Sequence, residues 1–231
     1  MAYTARPDTV RRFTWPWLVL ALLAVAFLAF SVPPYLTFDP ARSRLPIPAD
    51  VAWYYPALVV HILLGAVALV AACVQLWPWL RATHPEVHRR SGRVYAASAI
   101  LASLSVLTIT MYGVWGANQR VANTMLALLW LITTVAGVRA ARRRRFAEHR
   151  EWMVRSAALA FSIVANRIWV VLCIAVFAPE VFGTDPGPAA APELAQAVGA
   201  SAWLSWVVNL LVAEWWLHRT RHRACAVRFP G

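Results

Sequence analysis

The chain has no lysine. Its 22 cationic side chains are all arginine and face only 10 carboxylates, giving a net charge of +12 with the histidines neutral. Three cysteines, Cys73, Cys173 and Cys225, offer no disulfide scheme. No glycine-rich phosphate loop, CxxC pair or nucleophile elbow occurs, so the common sequence signatures of nucleotide binding, thiol redox chemistry and serine hydrolysis are missing. No ten-residue segment alternates apolar with polar side chains, which argues against a membrane β-barrel. Charged residues are scarce as well, at 14% against 61% hydrophobic, which leaves a soluble domain of this size too little polar surface. Lipid must be the solvent for most of the chain.

What is present is a series of long apolar runs. Six approach or exceed the roughly 20 residues a helix needs to cross a hydrocarbon layer: 17–35, 55–76, 91–115, 121–138, 152–177 and 199–217. The expected fold is therefore all-α, a polytopic bundle of six transmembrane helices forming one membrane domain over residues 1–231. Thirteen tryptophans suit the headgroup boundary, where an indole can keep its ring apolar and its N–H wet. The first run follows Arg11 and Arg12 and has a small-residue stretch at Ala29 to Ser31, but its length fits an uncleaved anchor better than a signal peptide. Segments 36–54 and 178–198, rich in proline or in proline, glycine and alanine, are expected to be irregular caps.

The arginines orient the bundle. Arg6, Arg11 and Arg12, then Arg81, Arg89, Arg90 and Arg93, then Arg139 through Arg155, then Arg219 through Arg228 all fall on one side, leaving Arg42, Arg44 and Arg120 on the other. The positive-inside rule then predicts both termini in the cytoplasm of a bacterial inner membrane, with anionic phospholipid heads attracted to the inner face. A nucleic-acid partner is not indicated, because no recognition module surrounds the basic residues.

Polar and small residues inside the spans recur at helical spacing. His61, Gly65, Ala68, Ala72 and Gln75 make one stripe, and Gly92, Ala96, Ala99, Ser103 and Thr110 another. Asn123, Ala127, Trp130, Thr134 and Gly137 make a third. Such stripes let helix backbones approach closely in lipid. His61, Asn166, Arg167 and Glu214 stand out as costly membrane groups. Arg167 in particular is expected to face the bundle interior, near Asn166, Thr108 or His61.

A cationic phrase occurs twice, as EVHRRSGRVY at 86–95 and as EHREWMVRS at 148–156. The pattern His61-x-x-x-Gly65, Gln75, Leu80-Arg81, Pro85, His88-Arg89-x-x-Gly92-Arg93-x-Tyr95, Trp130-Leu131-x-Thr133, His149-Arg150-x-Trp152-Met153-x-Arg155-Ser156 and Arg167 resembles the bacterial membrane-protein family catalogued as domain of unknown function number 2306. The resemblance spans about residues 55–170, excludes Glu214, and implies an integral membrane protein without an assigned activity.

The two phrases read as halves of one inner-face site that includes His88, Arg89, Arg93, Tyr95, His149, Arg150, Arg155 and Glu214. Positive helix N-termini and guanidinium groups would attract an anion there, either Glu214 itself or the head of a lipid or isoprenoid phosphate. An alternative is a b-type haem with His88 and His149 as axial ligands, although the absence of a second histidine beside His61 prevents a second haem of that kind. A third is a non-catalytic subunit or scaffold of a membrane complex. No other metal site, cofactor or reaction is indicated.

Overall fold

The computed structural model describes residues 14–183 and 190–228, so Arg6, Arg11, Arg12 and segment 184–189 lie outside the described residues, as does the side chain of Cys225. Helices account for nearly all of it, and no strand occurs among the described residues. In chain order they are α1 (Thr14–Ser31), α2 (Tyr54–Leu76), the short α3 (Pro78–Thr83), α4 (Pro85–Ile109), α5 (Ala117–Arg142), α6 (Phe146–Ala160), α7 (Ser162–Phe177) and α8 (Ala190–Arg228). Contacts divide the chain into two compact units after Ser105.

In the first unit, prolines punctuate the chain. Trp77, held extended before Pro78, ends α2, and Pro78 opens α3; His84 before Pro85 ends α3, and Pro85 opens α4. The end of α2 is capped from α1. The Trp77 N–H turns back to the Val74 carbonyl at 3.3 Å, and the Trp17 indole Nε1 donates instead to the Cys73 carbonyl at 2.7 Å. Trp17 also stacks on Trp77 with ring centroids 4.8 Å apart, followed by Trp79 and His84. Between α2 and α4, buried Ala68, Ala72, Ala96, Ala99 and Ala102 permit close packing. Polar bonds fix the antiparallel register at both ends of this pair. His61 Nδ1 donates to the Ala102 carbonyl at 3.0 Å, and the Gln75 amide donates to the His88 carbonyl at 2.7 Å and to Ser91 Oγ at 2.6 Å.

In the second unit, α5 and α6 form a hairpin so close that a Cβ added at Gly137 would lie 2.6 Å from Met153 Sδ and 3.4 Å from the Trp152 Cβ. Thr134 and Ser156, both fully buried, share a hydroxyl hydrogen bond of 2.7 Å at the same interface. Helix α8 runs antiparallel along α6 and α7. Asn209 reaches the Ala158 carbonyl at 3.1 Å and Asn166 reaches Ser201 Oγ at 3.3 Å. A Cβ at Gly199 would stand 2.6 Å from the Asn118 amide nitrogen of α5.

Several expected boundaries change. The run 152–177 is not one straight helix: α6 and α7 meet at Phe161 with a 41° bend. The cause is side chains that satisfy backbone carbonyls around the break, Ser162 Oγ on Leu159 at 2.6 Å and Asn209 on Ala158. Residues 190–198 are helical rather than capping loop, because α8 begins at Ala190 and runs for 39 residues. At 1.5 Å per residue that is roughly 58 Å, about twice the hydrocarbon thickness. The run 91–115 stops earlier, in a 3-10 turn at Thr110–Tyr112. Among the described residues, four helices are long and apolar enough to cross a membrane, or five with the bent pair taken as one span, while the apolar part of α1, Trp15–Ser31, is shorter. The side chains of Leu22, Val25, Val176 and Leu211, each more than 60% exposed, are the surface such helices turn to lipid.

Candidate functional site

The first phrase lies at the start of α4, in the first unit. Its side chains divide by helical angle. Arg89, Arg90 and Arg93 are exposed, with Arg90 3.7 Å from Glu86 and Arg93 Nε on the Arg89 carbonyl at 3.4 Å. Tyr95 is 1% exposed, so it belongs to the core of that unit and is not available to a head group at the surface. Gly92 lets Gln75 pack within 3.4 Å of where its Cβ would stand.

The second phrase opens α6, in the second unit, and its environment differs. His149 Nδ1 donates to the Gly137 carbonyl of α5 at 2.9 Å, which fixes the ring and leaves Nε2 as the remaining nitrogen. Arg150 lies over the Trp216 ring, 5.0 Å from its centroid. Arg155 is clamped by Glu214 of α8 through two bonds, Nε to Oε1 at 2.5 Å and Nη2 to Oε2 at 3.0 Å, and stands 3.8 Å from Glu151. Glu151 in turn bonds Arg221 bidentately. Two guanidiniums and two carboxylates thus form a neutral four-residue network joining α6 to α8. The sequence pointed to Arg155 and Glu214 but missed Glu151 and Arg221, although Glu151 lies four residues before Arg155 and that spacing is an ion-pair signal.

Of the intramembrane polar residues, His61, Gln75 and Asn166 all bond across helix pairs within their own units. Arg167 departs from expectation. It is exposed on α7, because Asn166 occupies the face packed on α8 and the next residue of a helix is turned about 100° away. Among the described residues there is no cluster of three or more histidine, cysteine or carboxylate side chains suited to a metal ion.

The arginine run Arg142–Arg145 was legible only as charge. Arg144 adopts φ 58°, the left-handed conformation, and closes a Schellman turn in which the Arg145 N–H reaches the Ala140 carbonyl at 2.9 Å and the Arg144 N–H reaches Ala141 at 3.0 Å. Glycine ordinarily takes that position. The turn brings the exposed Arg143 and Arg145 beside Arg139, above an apolar groove in the second unit.

Apolar helices with buried small-residue seams and lipid-facing side chains define a polytopic α-helical membrane protein. The chain belongs to the family described as predicted membrane protein (DUF2306), whose model matches residues 58–217. That match extends beyond the expected 55–170 and takes in Glu214. No curated protein and no solved structure matches the chain.

Proposed function

We propose that the chain is a multi-pass protein of the bacterial cytoplasmic membrane, with both termini inside, whose arginine-rich inner helix ends bind an anionic head group of the lipid or isoprenoid-phosphate type. The observation that carries this reading is a charge imbalance in the second unit. Glu214 and Glu151 engage Arg155 and Arg221, while Arg139, Arg142, Arg143, Arg144, Arg145 and Arg150 are exposed, and among the described residues only Arg145 of these six lies within ion-pair distance of a carboxylate, Glu148 at 3.5 Å. Unpaired surface cations attract anionic lipid by about 1 kcal/mol each near a charged leaflet. Arg155 drops out as a direct ligand, since Glu214 already supplies its counter-charge. The first phrase contributes exposed cations of its own at Arg89 and Arg93.

The haem alternative is favoured by one observation. A ligating histidine commonly donates its second ring nitrogen to a carbonyl, as His149 does to Gly137. A Soret band in the detergent-purified protein that disappears in His149→Ala would support it, and a colourless protein would remove it. The scaffold reading gains no comparable support.

Two measurements test the main proposal. Single cysteines at Ala41 and Ala147, in a background without Cys73, Cys173 and Cys225, should react with an impermeant thiol reagent from opposite faces; labelling of both from one face would reject the topology. Nanodiscs of phosphatidylglycerol should retain bound lipid on the purified protein that phosphatidylcholine nanodiscs do not, and equal retention would reject the anion preference.

A further inference from the structure

The groove beneath the arginine turn has a volume of about 590 Å³, within the usual range for ligand clefts, and it is two-toned. Its lower wall is Leu131, Ile132, Val135 and Ala136; its upper rim is Arg139, Arg143 and Arg145, with Glu148. Leu131, Val135 and Arg139 follow one another at intervals of four along α5, and Arg143 caps its end, so this side of the helix changes from hydrocarbon to cation along its length. From Leu131 to Arg143 the rise is roughly 18 Å, of which the apolar wall from Leu131 to Ala136 takes about 8 Å, room for the upper part of an acyl chain beneath a head group. Arg145 is 3.5 Å from Glu148, whereas among the described residues neither Arg139 nor Arg143 has a carboxylate partner. The rim therefore holds two uncompensated positive charges at the end of an apolar slot.

The geometry points to one occupant: a single anionic glycerophospholipid of the inner leaflet, its phosphate on Arg139 and Arg143 and one acyl chain along Leu131, Ile132 and Val135. Charge complementarity selects an anion, and the apolar wall directly beneath the cationic rim selects a chain-bearing one over free phosphate. A zwitterionic lipid brings its own cation to the rim and loses the advantage. The inference rests on the head-group reading above and assigns it to residues outside both repeated phrases.

Native mass spectrometry of the full-length protein, released from phosphatidylglycerol nanodiscs, provides the test. The wild type should carry one tightly held phosphatidylglycerol, and Arg139→Gln with Arg143→Gln should reduce its occupancy by at least about tenfold, the loss expected for charge-assisted bonds. Arg90→Gln, an exposed cation of α4, should keep it. Ile132→Trp, which fills the slot without touching charge, should also displace the lipid. Since Ile132, Arg139 and Arg143 are exposed, unfolding temperatures near wild type should show that the variants remain folded. Wild-type occupancy in the arginine double variant would overturn the groove while leaving the broader head-group reading standing. Loss with the arginines but not with Ile132→Trp would overturn the acyl-chain assignment. Absence of any phosphatidylglycerol preference in the wild type would overturn both readings.

Discussion

In the first repeated phrase Arg93 is exposed and rests on the carbonyl of its own helix, whereas in the second Arg155 is only 16% exposed and held by Glu214 from another helix. Seven residues after each histidine stands Tyr95 in one case and Ser156 in the other, and both are buried. Tyr95 fills space with a ring, while Ser156 lets α6 lie against Thr134 of α5. The same cationic wording is thus placed on a loosely engaged helix start in one unit and on a tightly packed one in the other. Charge pattern reports which side of the membrane a helix end occupies; the partner element decides what that charge does.

The largest effect that would sharpen this contrast belongs to the glycines. Gly137 has no room for a side chain, with Met153 and Trp152 against it, so Gly137→Val should cost about 2–3 kcal/mol through overpacking. Gly92 meets only the movable end of Gln75 at ordinary contact distance, and Gly92→Ala should change stability by less than about 0.5 kcal/mol. Thermal unfolding in detergent measures both. Equal losses would mean that the two helix starts are packed alike.

The ion pairs come next. Removing the Glu214 charge leaves a largely buried guanidinium with only Glu151 nearby, but Glu214 is 45% exposed, so screening lowers the loss below that of a fully buried pair. Glu214→Gln should cost about 1–2 kcal/mol, and Arg155→Gln in the same chain should recover part of it. Lack of any recovery would show that Glu214 acts through something other than Arg155.

A smaller effect separates the turns that precede the phrases. Pro85 opens the first, while Arg144 enters the second at φ 58°. A residue with a Cβ is disfavoured there by about 1 kcal/mol or more, partly offset by the greater chain freedom glycine has when unfolded. Arg144→Gly should therefore raise stability by up to about 1 kcal/mol. A loss instead would mean that the Arg144 guanidinium holds the turn.

Much of this was legible because lipid imposes strict patterning. Apolar runs found the helices, and small residues such as Ala68, Ala72, Thr134 and Gly137 marked the buried faces. The break at Phe161 was not legible, since no proline or glycine stands there and one of the two side chains that satisfy its carbonyls, Asn209, comes from 48 residues further along the chain. The early start of α8 was hidden by Pro192, which reads as loop but is tolerated in a first helical turn. Arg167 was misjudged because its cost in lipid suggested burial, while the choice between Asn166 and Arg167 for the packed face depends on Ser201, which sequence does not align with either. The groove went unnoticed for a related reason. Arg139 and Arg143 read as topology until the turn at Arg144 set Arg145 beside them.

The smallest expected effect is the most informative about the repeat. Arg93 is exposed and its Nε bonds to the neighbouring turn of its own helix, so Arg93→Gln should alter stability by no more than about 0.5 kcal/mol. If the two phrases act independently, combining Arg93→Gln with Glu214→Gln should give the sum of the single effects within about 0.5 kcal/mol, the usual limit for uncoupled positions. Coupling has a definite sign if they instead share one anion. Removing the Glu214 charge would then leave Arg93 and Arg155 repelling each other, and Arg93→Gln would relieve part of the loss, making the double variant more stable than the sum predicts. Repeating the cycle at about 0.5 M salt separates the cases further: screening shortens the Debye length to below about 8 Å, so a coupling between exposed charges should shrink, while an additive result should not move.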